Sequence, residues 1–209
     1  MTHSMRARAL SAVAAGALAV ACGAPSQPQA PGAAPGHNDA DVAFAQGMIP
    51  HHEQAIEMAA MVESHSDNAE LAALATEIEA AQGPEIERLT TWLREWDEPV
   101  PPSGGGHATD TGGQSSAAHD DHGGAEDHGG ADGMTGMMSD DDMARLAVAE
   151  GAEFDRLWVE MMIEHHRGAV RMAERELRDG AHPGVRELAR EIIEVQQAEI
   201  DRMRAMLDA

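Results

Sequence analysis

Two adjacent histidines occur twice in this 209-residue chain, each time in matching surroundings: Gly47–Ala59 reads GMIPHHEQAIEMA and Met161–Ala173 reads MMIEHHRGAVRMA. A neutral imidazole offers one unprotonated ring nitrogen to a metal, and a methionine thioether adds a soft sulfur donor. Repeat one supplies Met48, His51, His52 and Met58; repeat two supplies Met162, His165, His166 and Met172. Imidazole plus thioether suits Cu(I), Ag(I) or Cu(II). Shifting the chain on itself by 114 residues lays Asp41–Glu95 on Asp155–Ala209 without a gap, with 17 of 55 positions identical. Those identities include polar pairs, Asp41/Asp155, Gln82/Gln196 and Glu85/Glu199, so the repeat points to a duplicated site as well as a duplicated fold.

These residues must be positioned by helices. At 100° per residue, Phe44, Met48, His51, His52, Ala55, Met58 and Ala59 share an arc of roughly 120°, which Asp41 joins two turns earlier. On the following segment Leu74, Ala75, Ile78, Gln82, Glu85 and Leu89 form one stripe, which turns Gln82 and Glu85 inward with the apolar residues. The second repeat places Asp155, Met162, His165, His166 and Met172 opposite Gln196 and Glu199 in the same way. Buried Glu and Gln are costly unless paired. The pattern therefore makes the His and Met residues, with Glu85 and Glu199, candidate ligands. Asp41, Gln82, Asp155 and Gln196 become their candidate hydrogen-bonding supports. A plainer reading stands beside this one: the methionines are core, and His–Glu pairs form a polar layer that fixes helix register.

The repeats differ at Pro50 and at Gly83-Pro84, where repeat two has Glu164 and Gln197-Ala198. A proline inside a helix frees the carbonyl four residues back, here Gln46 and Ala80. Pro50 also allows a helix that starts late, after a lead-in at Gly47–Ile49.

Charge and composition narrow the function. The formal net charge is −23, and loss of the first 21 residues, which carry Arg6 and Arg8 and no acid, would make it −25. The chain has no lysine. This argues against binding nucleic acid or anionic lipid through charge, and favours cations. Residues 1–21 read as an export signal, whose apolar run Ala9–Ala21 is too short to span a bilayer. The run ends at Ala19-Val20-Ala21-Cys22-Gly23, which resembles a bacterial lipobox and implies cleavage before Cys22 and lipidation of its thiol; an ordinary signal peptide cut near Ala21 is the alternative. Cys22 is the single cysteine. Lipidated, it leaves the fold without disulfide, thiolate nucleophile or cysteine-type zinc site.

Residues 22–37, rich in Pro, Ala and Gly, form a tether. Residues 38–97 form the first helical hairpin, with Asp67 and Glu70 as a capping pair at its second helix. Residues 98–138 are a His/Gly/Asp-rich linker of low complexity, expected to be disordered. It repeats Asp121-His122-Gly-Gly-Ala-Glu126 as Asp127-His128-Gly-Gly-Ala-Asp132, flanked by His107, His119, Met134, Met137 and Met138. Such tracts bind divalent metals weakly or act as solvated spacers. Residues 139–209 form a short helix capped by Ser139 and a second hairpin, broken at Asp179-Gly180 and reopened by Pro183. No segment alternates like a strand. The fold expected is all-α: two repeated hairpins closing into one four-helix bundle.

The paired motifs, with Gln82-Gly-Pro-Glu-Ile-Glu-Arg88 and Gln196-Gln-Ala-Glu-Ile-Asp-Arg202, resemble the bacterial "domain of unknown function 305" family. The resemblance covers 38–97 and 139–209. It implies a ferritin-like four-helix bundle, mostly exported, with some members linked to copper or silver. It carries a presumed ligand role onto Met48, His51, His52, Met58, Met162, His165, His166 and Met172.

Two functions follow from different classes. One is an exported, lipid-anchored protein on the outer face of the cell membrane that binds or stores copper-like ions. The other is an interaction bundle that binds another envelope protein and uses its His–Glu layer structurally. A di-iron oxidase fits less well, since such sites need Glu-x-x-His on two helices. Nothing resembles a nucleophile triad, a P-loop or a Rossmann turn, so a binder and not an enzyme is expected.

Overall fold

A computed structural model of the chain describes residues 36–102 and 135–208. Residues 1–21, read above as an export signal, together with Cys22, nearly all of residues 22–37 and most of the linker, including His107, His119, His122, His128 and Met134, lie outside the described residues. Those that are described fold into five helices without strands: α1 (Asp39–His65), α2 (Ala69–Glu95), α3 (Asp140–Val148), α4 (Gly151–Asp179) and α5 (Pro183–Leu207).

Local chemistry sets the boundaries. Asn38 caps α1 in a reciprocal box with Asp41, and Ser139 caps α3 in the same way with Asp142. The α2 cap is Asn68, whose side-chain Oδ1 accepts from the Glu70 and Leu71 amides. This corrects the expectation of Asp67: Asn68, one place later, is the residue that leaves helical geometry. At the equivalent position of repeat two, His182 Nδ1 accepts from Val185 N at 3.3 Å and Pro183 opens α5. Both α1 and α2 continue through their prolines. The late-start reading of Pro50 is thereby removed, and the Gln46 and Ala80 carbonyls lack their usual i+4 amide.

Each hairpin turns in three residues, so α1 lies antiparallel to α2 and α4 to α5. The hairpins join where α1 packs on α4. Outward, α2 and α5 are linked by Arg88–Glu191 at 2.8 Å and Arg202–Glu77 at 2.7 Å, two ion pairs that exchange under the 114-residue shift. Two apolar clusters fill the interior. One contains Met58, Val62, Leu71, Leu74, Phe154, Trp158 and Met162; the other contains Phe44, Met48, Leu89, Leu93, Met172, Val185 and Leu188. Few aromatics are present, yet Trp158 and Phe154 are the largest fully buried side chains. Trp158 also donates its indole N–H to the Met58 carbonyl at 2.8 Å.

Candidate metal centre

Between the two apolar clusters lies a polar layer of four fully buried histidines. His51 of α1 and His165 of α4 meet across the repeat axis, ring centroids 3.8 Å apart and ring planes tilted by 44°. Flanking them, His52 Nε2 stands 2.6 Å from Glu85 Oε2 and His166 Nε2 stands 2.7 Å from Glu199 Oε2. The inward stripe of each second helix thus delivers its glutamate to the second histidine of its own repeat.

Hydrogen-bond partners fix the tautomers. Glu85 and Glu199 accept as carboxylates, so His52 and His166 carry their proton on Nε2. His51 Nε2 lies 3.2 Å from the Thr135 carbonyl, which can only accept, so it too holds its proton there. The Nδ1 atoms of His51, His52 and His166, and both ring nitrogens of His165, are buried without a partner. The Gln82 amide and the Gln196 oxygen are likewise unpartnered in the interior.

Electrostatics keep the central pair neutral. Burial, reinforced by the neighbouring His52 and His166, pushes His51 down to about 3. Burial and the His51 ring hold His165 well below the usual imidazole range. A neutral imidazole with a bare Nδ1 is the form that ligates metal, and a carboxylate on the opposite nitrogen raises its basicity.

The thioethers are placed by the same helices, but not as one set per repeat. Met48 and Met58 are ten residues apart on α1, about 15 Å along the axis, and fall in different clusters. Met48 shares its cluster with Met172 of the other repeat, and Met58 shares its cluster with Met162. Repetition in sequence suggested two separate sites. The geometry makes one layer, because the dyad between α1 and α4 brings His51 and His165 together, with a thioether pair on each side.

Asp41 and Asp155 go elsewhere. The Asp41 carboxylate accepts from the amides of Asn38 at 2.7 Å, Ala181 at 3.1 Å and His182 at 2.8 Å. Asp155 accepts from the Asn68 side chain at 3.3 Å. Each aspartate therefore ties its helix to the turn of the opposite hairpin. Ten residues from its histidine, about 15 Å along the axis, it is too far away to support the layer. Burial opposes the charge on Asp41, yet the three amides hold its carboxyl below the usual range.

Three features were not singled out from the sequence: a strap, the glycine that admits it, and a buried acid. Thr135 belongs to a strap, Thr135–Ser139, that crosses the layer. Gln54 pins the strap by donating to the Met138 carbonyl at 2.9 Å and accepting from the Met138 amide at 2.7 Å. Gly168 admits it: a Cβ at 168 would overlap the Thr135 carbonyl, and Gly136 crosses there with φ +89°. A glycine inside α4 was the available signal. The third, Glu176, is buried on α4 where repeat one has Val62, an acid inside an apolar stripe. Burial and the charge of Asp41 push it up to about 8.

This donor set fits some ions better than others. Among the described residues, no three imidazole or carboxylate side chains converge as a metal-binding group. A closed tetrahedral zinc-type site is therefore not built here. Orphaned Nδ1 lone pairs in a dry interior, with thioethers above and below, fit a soft ion of low coordination number.

A helical bundle built from two HH-centred hairpins around a shared imidazole layer defines the class. Residues 41–207 match the family described as "Domain of unknown function (DUF305)", and the chain belongs to that family. Among solved structures, a DUF305 protein from Streptomyces coelicolor is 28% identical, with a TM-score of 0.65, covering 81% of this chain and 92% of that one. A DUF305 fragment from Deinococcus radiodurans is 29% identical, with a TM-score of 0.64 and coverages of 83% and 99%. CopM in its Cu(II)-bound form is 32% identical, with a TM-score of 0.60 and coverages of 79% and 94%; Cu(I)- and Ag-bound forms of CopM match as well. No curated protein matches the chain.

Proposed function

We propose that this protein is an exported, lipid-anchored binder or store of copper-like ions, and not an enzyme. The observation that carries the proposal is the buried layer itself: His51 and His165 in contact, five ring nitrogens without partners, and Met48, Met58, Met162 and Met172 on both sides. Stranding that many polar atoms in a core is unfavourable unless a ligand uses them. The metal-bound forms of CopM support the reading, since that relative holds Cu(I), Cu(II) and Ag. Glu85 and Glu199 orient His52 and His166. Export is supported by the naming of the Streptomyces coelicolor relative as a candidate secreted protein, and by residues 1–21. No helix of the described residues is long and apolar enough to cross a membrane; the proposed anchor is lipid on Cys22, which rests on the lipobox-like run Ala19-Val20-Ala21-Cys22-Gly23. Detergent partitioning tests it: wild type enters the detergent phase and Cys22→Ala does not. Equal aqueous release of both would refute it.

The binding test uses the mature chain with His107, His119, His122 and His128 replaced, so that linker binding does not contribute. Cu(I) or Ag(I) competition against a chromophoric chelator is then compared with the same chain carrying His51, His52, His165 and His166→Ala. Binding no tighter than about millimolar, about 4 kcal/mol, or equal binding by the folded quadruple variant, would refute the His-led site. The His52–Glu85 and His166–Glu199 bonds favour a second reading, an envelope interaction bundle with a structural polar layer. It gains if the intact domain binds no soft metal while the quadruple variant loses several kcal/mol of stability.

A further inference from the structure

The two halves of the bundle are related by the 114-residue shift, but they are not filled alike. Beyond the layer on the Met58/Met162 side, the α1–α4 groove is plugged by Phe154 and Trp158, both fully buried, with Phe154 stacked on His65 at 5.0 Å. The equivalent positions on the Met48/Met172 side are Ala40 and Phe44. Leu157 is matched there by Ala43, and Val62 by Glu176. Smaller side chains leave a cavity of about 190 Å³ on that side, lined by α1 at Ala40, Ala43 and Phe44 and by α4 at Met172, Arg175, Glu176 and Asp179. That is room for several waters.

Its polar wall is unusual. Glu176 is 2% exposed; burial and the Asp41 carboxylate, which accepts a hydrogen bond from it, hold its carboxyl protonated, and no backbone amide or hydroxyl serves it. Gly180 lies so close that a Cβ there would overlap the carboxylate. The carbonyl oxygen of this neutral carboxyl and the neighbouring Met172 thioether are two uncharged donors facing one cavity, a pair open to a soft cation. Met172 is one turn nearer the layer than Glu176 on the same face of α4. Met48, in the same cluster as Met172, is one turn from His51 and His52. From Glu176 to His165 the path runs eleven residues, about 16 Å, with an oxygen, two sulfurs and then imidazole nitrogen at successive steps.

We propose that the α1–α4 cavity is the entrance by which a soft monovalent cation reaches the central histidines, with Glu176 as the first oxygen donor and Met172 as the first thioether stop. This rests on the metal-binding function proposed above. The ion moves by ligand exchange, each donor released as the next one binds, with no change in its oxidation state. Phe154 and Trp158 close the equivalent route on the other side.

The test is stopped-flow transfer of Ag(I) and Cu(I) from a chromophoric chelator to the mature chain, with equilibrium affinity measured in parallel. Ala40→Phe with Ala43→Leu copies the side chains of the closed half into the open one. It is expected to slow uptake tenfold or more while affinity stays at the wild-type value. Ala43→Leu alone, at an exposed helix position, is expected to slow uptake severalfold and serves if the double variant does not fold by circular dichroism. Glu176→Gln should slow uptake with affinity retained. Wild-type uptake rates in the folded filling variants would overturn the entrance. Absence of any binding by wild type would overturn the metal-binding function and the entrance with it, a result distinct from unchanged rates.

Discussion

Replacing Gly168 with alanine sets two effects of opposite sign against each other. Gly168 lies inside α4, where alanine is favoured over glycine by about 1 kcal/mol. If nothing crossed the helix at that point, Gly168→Ala would stabilise the protein by about that amount. The strap reverses the expectation, because the new Cβ would overlap the Thr135 carbonyl and crowd Gly136. Thr135 cannot slide along α4, since Gln54 holds Met138 by two hydrogen bonds three residues on. Lifting the strap breaks those two bonds and the His51–Thr135 bond. At about 0.5–1.5 kcal/mol each, the three bonds represent about 1.5–4.5 kcal/mol. Net of the helix gain, the variant should be less stable by about 0.5–3.5 kcal/mol. Urea unfolding measures the sign, and amide exchange at Met138, protected by Gln54 in the wild type, should accelerate in the variant. A Gly168→Ala protein that is more stable than wild type, with Met138 still protected, would refute the packing of the strap over the histidines.

Two further outcomes follow from the same geometry. Glu85→Ala and Glu199→Ala each strand a buried His Nε2–H and should cost about 1.5–3 kcal/mol apiece, with similar values because the dyad relates them; a negligible cost for either in urea unfolding would contradict the His–carboxylate bonds. The apo protein should also show a stability maximum on the weakly acidic side of neutrality. His51 and His165 are depressed in the fold, so the unfolded chain binds more protons below 6.5 and stability is lost as pH falls from there toward about 3. Glu176 is raised from 4.5 to about 8, so the folded chain binds the extra proton and stability falls as pH rises across that window. Unfolding curves from pH 4 to 9 should show the alkaline decline in wild type and not in Glu176→Gln, and a decline of equal slope in both would remove the assignment.

Much of this protein was legible in the sequence, for reasons that are local. Helical period placed Met48, His51, His52 and Met58 on one inward face, because 3.6 residues per turn follow from the backbone alone. The same period turned Glu85 and Glu199 toward their histidines, because a short turn between antiparallel helices leaves little choice of partner. Capping chemistry located Ser139 and Pro183. What the sequence did not determine was which inward faces meet. A histidine on an apolar stripe looks the same whether it faces its own hairpin or the other one. Only the packing of α1 against α4 decided that His51 meets His165, that Met48 joins Met172, and that one layer forms where two sites were expected. Asp41 and Asp155 shared the inward arc but lie nearly three turns from the layer, at the level of the opposite turn, where backbone amides for Asp41 and the Asn68 side chain for Asp155 are nearer partners than the imidazoles. The strap across Gly168 and the cavity beside Glu176 depend on side-chain volumes from segments far apart in the chain, and such sums exist only once the tertiary structure has brought the segments together.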